Sequence, residues 1–251
     1  MEQFSRSELY WGKDFQKSLF SRRIAVFGAG GVGGGALEGL ARAGIGHFTI
    51  VDFDKVSKSN LNRQLVALTS TIGEKKAQVY AKRVMDINPD ATVKIVDDFY
   101  DAKLNDTIFS EPFDFVVDAI DTLRSKIELI CYCHSENIPL VSSFGAGNRV
   151  DASKLYCSKL EDVKPCCQFS KNVISKLKKQ GVKSGMQIVA SSESPYSLEK
   201  VKNIEQIIKK DGEGIEFTKF TPASTPIVPT VAGFLMANYI LNKFLEDFKG
   251  N

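Results

Sequence analysis

Apolar positions along the chain fall into short unbroken runs separated by stretches with helical spacing. Residues 24–28, Ile-Ala-Val-Phe-Gly, form a continuous apolar run ending in glycine, as a strand buried on both faces of a parallel sheet would. A glycine-rich stretch follows, then Ala36-Leu-Glu-Gly-Leu-Ala-Arg-Ala, in which Leu37, Leu40 and Ala41 recur at helical spacing. Gly44 and Gly46 predict the end of that helix. Phe48-Thr-Ile-Val-Asp52 is a second β-branched run. Strand, glycine turn, helix and strand in this order make a βαβ unit.

The alternation continues. Lys75 to Ile87 reads as a helix ended by Asn88-Pro89, Val93–Val96 as a strand, and Phe113–Asp118 as another. Arg124 to Glu136 reads as a helix, and Ile138–Ser142 as a strand leading into a glycine-containing loop. Such alternation predicts an α/β fold, a Rossmann-like, doubly wound, mainly parallel sheet with helices on both faces. The pattern is regular to about residue 150; residues 151–251 are less regular and are expected to finish the same sheet as an extended C-terminal half, within one continuous domain. The most apolar stretch, Ile227 to Leu241, contains Pro229 and Asn238 and falls short of the ~20 residues of a spanning helix, so a buried core helix is the better reading.

Composition narrows the class. The 251 residues are 43% hydrophobic and 25% charged, which excludes a disordered, collagen-like or coiled-coil chain. A net charge of +3 is too small to imply a nucleic-acid binder by itself. The five cysteines (131, 133, 157, 166 and 167) are odd in number and follow a charged N-terminus without the apolar core of a signal peptide, so a cytoplasmic protein with reduced thiols is expected. The C-Y-C and C-C spacings make poor zinc chelates. Cys131 and Cys133 fit a helix core; Cys166-Cys167, in a polar loop, are the better candidates for a reactive pair, with inert thiols the favoured reading.

Chemistry concentrates at the C-terminal ends of the predicted strands. Gly28, Gly30, Gly31 and Gly33 lie between strand and helix, where glycine permits a tight turn and lets backbone N–H groups approach a phosphate. Asp52 ends the next strand, where a carboxylate accepts from ribose hydroxyls. Ser59-Asn60-Leu-Asn62-Arg63-Gln64 and then Lys76 add amides and cations that suit a triphosphate better than a dinucleotide. Asp118 and Asp121 supply carboxylate beside it, which points to Mg²⁺. A turn made for packing, with solvated charges around it, is the alternative for each residue alone.

As a set, G-x-G-G-x-G, the strand-end Asp, N-L-x-R-Q, a downstream Lys and D-x-x-D resemble the ubiquitin-activating superfamily of adenylating enzymes. The resemblance implies ATP and Mg²⁺, with residues 1–150 as the ATP-binding adenylation region. Gly31 would then touch the nucleotide, Asp52 the ribose, and Ser59, Asn60, Arg63 and Lys76 the phosphates, with Asp121 near Mg²⁺. Arg6, in Phe4-Ser-Arg-Ser-Glu-Leu9, would reach across a homodimer to the partner's ATP. The tRNA threonylcarbamoyladenosine dehydratase branch resembles the chain over nearly its whole length, through Val96–Phe99, Val117–Asp121, Ile138–Val141, Phe144–Gly147, Ser192–Pro195 and Val228–Gly233. It implies ATP-dependent dehydration of a modified tRNA, with Arg6, Arg63, Lys76 and Asp121 in the chemistry and a cysteine-desulfurase-type sulfur-transfer partner as a further candidate. The alternatives are an enzyme activating a ubiquitin-like sulfur carrier and a non-catalytic nucleotide-binding module. The chain departs from the branch at Lys164-Pro165, where Asp-Pro is usual, and in the Cys166-Cys167 that follows. Between Val163 and Ser192 lie Lys164, Lys171, Lys176, Lys178, Lys179 and Lys183 and no acid, a stripe on a helix expected from Asn172 to Gln180 that could meet tRNA phosphates or simply face solvent.

Overall fold

The computed structural model describes residues 2–196, 202–208, 214–220 and 222–250, with backbone alone for 202–208 and 214–220. Two short helices, α1 (Ser5–Trp11) and α2 (Lys13–Leu19), lead into β1 (Arg23–Phe27), α3 (Gly31–Ala43), β2 (His47–Val51), α4 (Lys76–Ile87) and β3 (Thr92–Val96). Then come α5 (Asn105–Ile108), β4 (Phe115–Asp118), α6 (Leu123–Ser135), β5 (Leu140–Ser143), β6 (Leu155–Lys159), α7 (Gln168–Lys179) and β7 (Gln187–Ser191). A two-stranded antiparallel pair, β8 (Lys202–Ile208) and β9 (Gly214–Phe220), precedes α8 (Ile227–Gly250).

Seven strands form one sheet in the order β3-β2-β1-β4-β5-β7-β6. All neighbours are parallel except β6, which returns antiparallel to β7 along the edge. The fold is therefore the mainly parallel, doubly wound α/β sheet expected. Strands β1, β4 and β5 are buried on both faces, which is why they read as unbroken apolar runs. Strand order reverses between β1 and β4, and at such a switch point a crevice opens beyond the carboxyl ends of the strands.

Two apolar clusters cover the faces. One joins α2, α3 and α4 to α8 through Leu37, Leu40, Ala232, Met236 and Ile240; the other joins α6 and α7 through Leu129, Ile130, Val173 and Leu177. Helices α3 and α8 touch backbone to backbone: a Cβ on Gly233 would collide with the Val32 carbonyl oxygen. That contact explains a difference from expectation. Helix α3 begins at Gly31, inside the glycine-rich stretch, rather than at Ala36, because close packing against α8 outweighs the poor helix propensity of glycine. Helix α8 runs past Leu241 to Gly250; no described helix is long and apolar enough to cross a membrane.

Candidate active site

A crevice of about 540 Å³ lies at the switch point. Its floor is the turn from β1 into α3. Gly28 has φ +85° and would place a Cβ 2.9 Å from the Ala119 carbonyl oxygen, while a Cβ on Gly33 would strike the Gly28 carbonyl oxygen, so the turn closes only with glycine at both positions. Helix α3 has Gly30 as its N-cap and so no side-chain cap, which leaves its first N–H groups for a ligand. Gly28, Gly30 and Gly31 line the crevice, and Pro229 of α8 packs on Gly31, so the C-terminal helix walls the same space.

Asp52 follows β2 and is buried. Its two oxygens accept the Ala29 N–H at 2.6 Å and the Asp54 N–H at 2.8 Å. Burial pushes its carboxyl up to about 6, with Asp54 adding to the rise and the Lys76 ammonium and the two N–H donors opposing it. Lys76 opens α4, is 5% exposed, and donates from Nζ to Asp54 Oδ2 at 2.8 Å. Asp54 was no part of the sequence-derived set; its position two residues beyond Asp52, again facing the helix, is the signal that marks it.

The run after β2 folds as a short 3₁₀ turn, Lys58–Asn60. Asn60 Oδ1 accepts the Ser57 N–H at 3.1 Å, so Asn60 both caps the turn and lines the crevice. Ser59 and Arg63 also line it; Arg63 Nη1 donates to the Ser59 carbonyl at 2.9 Å and to Asn62 Oδ1 at 2.8 Å, which presents the half-exposed guanidinium at the rim. Asn62 Nδ2 donates to the Ser224 carbonyl, tying this run to the loop before α8. Gln64 is buried and its Oε1 has no partner, an acceptor left beside the glycine turn.

The acidic pair after β4 divides. Contrary to expectation, Asp118 does not present a carboxylate to the ligand. It is fully buried, accepts from Lys126 Nζ at 2.6 Å and Ser142 Oγ at 2.6 Å, and receives the Ile120 N–H at 3.1 Å. Burial depresses Lys126, and Asp118 counters that depression. A lysine in an amphipathic helix reads as surface, so this buried pair left no mark in the sequence. Asp121, exposed three residues beyond the end of β4, does line the crevice. Among the described residues no group of three or more His, Cys, Asp or Glu side chains could hold a metal, so a cation here would rest on one or two carboxylates and the ligand's own oxygens.

Gly28, Gly30, Gly31, Asp52, Ser59, Asn60, Arg63, Lys76 and Asp121 thus meet in one crevice, with Gly33 supporting its turn. Arg6 does not join them: it is exposed on α1, outside the crevice of its own chain. A second concavity of about 300 Å³ lies at the opposite end of the strands, around Arg23, His47, Lys94 and Glu111, away from the glycine turn. Helix α7 starts at Gln168, earlier than expected, because Cys167 acts as its N-cap; Lys171, Lys176, Lys178 and Lys179 are exposed on it, opposite buried Val173 and Leu177.

A glycine turn, a strand-end carboxylate and paired cations at a switch point define a nucleotide-binding α/β protein of the adenylating type. The chain belongs to the ThiF family, whose sequence profile matches residues 4–250. It is 37% identical over 249 residues to the tRNA threonylcarbamoyladenosine dehydratase of Bacillus subtilis (strain 168), covering 99% of this chain and 97% of that one. It is 30% identical over 257 residues to the enzyme of the same name from Escherichia coli (strain K12), covering 97% and 94%. The crystal structure of E. coli tRNA N6-threonylcarbamoyladenosine dehydratase in complex with ATP superposes with a TM-score of 0.86 at 29% identity, over 100% of this chain and 96% of that one.

Proposed function

We propose that the protein is an ATP-dependent tRNA threonylcarbamoyladenosine dehydratase. The observation that carries this reading is a match along the whole chain to relatives of that name, joined to a crevice whose residues suit a nucleoside triphosphate. ATP lies with its phosphates over the α3 N-terminus and its ribose hydroxyls on Asp52. The threonyl carboxylate of the modified adenosine attacks the α-phosphorus, forming an acyl-adenylate and releasing pyrophosphate. Arg63 and Lys76 offset the charge that builds up on the phosphates, and Ser59 and Asn60 hold them in place. An internal nucleophile of the carbamoyl group then displaces AMP and closes a ring, so no protein nucleophile is consumed. Mg²⁺, where bound, would neutralise phosphate charge beside Asp121, whose oxygen donors fit a hard cation.

The enzyme works as a cytoplasmic homodimer in which Arg6 completes the partner's site, and the exposed lysines of α7 contact tRNA phosphates. A cysteine-desulfurase-type partner is a further candidate on the strength of the resemblance alone. The test is substrate-dependent pyrophosphate exchange. Labelled pyrophosphate should enter ATP with threonylcarbamoyl-modified tRNA and not with a Gly-Gly-tailed carrier protein. The reverse preference would assign the protein to carrier activation, and no exchange with either would make it a binding module.

A further inference from the structure

Three side chains that solvent does not reach close a ring at the carboxyl ends of β4 and β5. Asp118 at the end of β4, Lys126 on α6 and Ser142 on β5 are each 0% exposed. Lys126 Nζ donates to Asp118 Oδ2 at 2.6 Å and to Ser142 Oγ at 3.1 Å, and Ser142 Oγ donates to the same Asp118 oxygen at 2.6 Å. The other carboxylate oxygen, Oδ1, accepts the Ile120 N–H at 3.1 Å and so turns the chain as it leaves the strand. Burying two ions is costly, and an apolar pair of similar volume often serves stability as well or better, so stability alone does not account for the ring. Its position does. Each of the two strands feeds a wall of the crevice: Ile120, Asp121 and Thr122 line it beyond β4, and Ala146 and Gly147 beyond β5. On its other side the turn after β4 abuts the glycine turn. The Ala119 N–H donates to the Phe27 carbonyl at 2.9 Å, and the Ala119 carbonyl oxygen stands 2.9 Å from the place of a Gly28 Cβ. The turn is thus gripped between ring and glycine turn, and the charged group it carries into the crevice is the Asp121 carboxylate.

We infer that Asp118, Lys126 and Ser142 are positioning residues for Asp121: their ring pins the turn after β4 and sets where the Asp121 carboxylate stands beside the bound triphosphate. None of the three lines the crevice, so they act through Asp121 rather than on the ligand. The inference rests on the proposed place of Asp121 next to the phosphates. A group that must meet developing charge works best when it is fixed beforehand, because no reorientation is then added to the barrier. The ring should therefore be felt in turnover and little in ATP binding, which the glycine turn and Asp52 carry.

Pyrophosphate exchange with threonylcarbamoyl-modified tRNA, run on wild type, Ser142→Ala, Asp121→Asn and the double variant, tests it. Ser142→Ala keeps the ion pair and removes one strut. It should lower kcat about tenfold with KM for ATP within about twofold, and should cost almost nothing more once Asp121 is already Asn. A further tenfold loss in the double variant would mean that the ring works independently of Asp121. An unchanged kcat in Ser142→Ala, or a loss carried by KM, would equally overturn the inference. A second readout needs no catalysis. In amide hydrogen exchange of the full chain, Ser142→Ala should speed exchange of the Ile120 N–H roughly tenfold while β1 stays protected as before. Unchanged protection at Ile120, or a loss spread over the whole sheet, overturns the positioning role. Lys126→Met should exceed Ser142→Ala in both readouts, but it strands a buried carboxylate, so Ser142→Ala decides alone if that variant fails to fold. A wild-type protein that exchanges no pyrophosphate would overturn the proposed function and leave the Ile120 amide to decide whether the ring holds the turn.

Discussion

Asp52 is held by opposing forces, and they make it pH-sensitive. Desolvation raises its carboxyl to about 6 despite two backbone donors and Lys76. A raised value means that the group is protonated below about 6 and loses the charge proposed to accept ribose hydroxyls. ATP affinity should therefore rise with pH through about 6 and level off above it, as calorimetry from pH 5 to 8 would show. Asp52→Asn should bind weakly at every pH and lose that slope. The same shift makes the folded state the tighter proton binder, so Asp52's contribution to stability falls as pH rises between its unfolded and folded values. Weak binding at low pH is thus not unfolding driven by this residue, and an affinity flat across pH 6 would remove Asp52 from the ribose site. Arg63 and Lys76 are expected to act later, on the developing phosphate charge. Arg63→Ala and Lys76→Ala should each cut pyrophosphate exchange by about 10²–10³, or about 2.7–4 kcal/mol of barrier. Neither should disturb the fold: Arg63 is half-exposed, and the Asp54 carboxylate that Lys76 would leave behind is 44% exposed. Near-normal exchange in either variant would contradict the assignment.

At the scale of elements, legibility followed burial. Strands β1, β2 and β4 announce themselves because buried parallel strands are continuous apolar runs, and the glycine turn because its spacing is set by its own backbone collision at Gly33. What escaped depended on contacts distant in sequence. The start of α3 at Gly31 is decided by α8, some two hundred residues away along the chain. The Asp118–Lys126–Ser142 cluster joins three elements through residues whose types predict surface. The start of α7 was missed because cysteine is not among the usual N-caps. Its lysines were legible in composition. If Lys171, Lys176, Lys178 and Lys179 meet tRNA, each phosphate contact adds about 0.9 to the log–log salt slope on duplex, or about 0.7 on single strands. Replacing all four by Gln should flatten the slope by roughly two to four units and weaken tRNA binding at low salt, with ATP binding scarcely changed. An unaltered slope would make the stripe a solvated face.

For the whole molecule, the open question is whether one chain contains a whole site. The crevice gathers a turn, a carboxylate and two cations, yet Arg6 stands outside it on α1. Beside Arg6 on the same short helix, Leu9 and Tyr10 are 88% and 84% exposed, an apolar pair that a lone chain leaves in water. A second copy would cover them, and a two-fold axis that buries α1 of one protomer against the other delivers both arginines at once. The two halves of the catalytic machinery would then come from different chains. Arg6→Ala and Lys76→Ala should therefore be inactive separately and complement when mixed. Random exchange of equal amounts makes about half the dimers mixed, and each mixed dimer holds one intact and one doubly defective site, so about one quarter of wild-type activity should return. If subunit exchange is verified by mass and no activity returns, Arg6 acts within its own chain or not at all. Recovery near one quarter would instead require that each site draw its cations from both protomers.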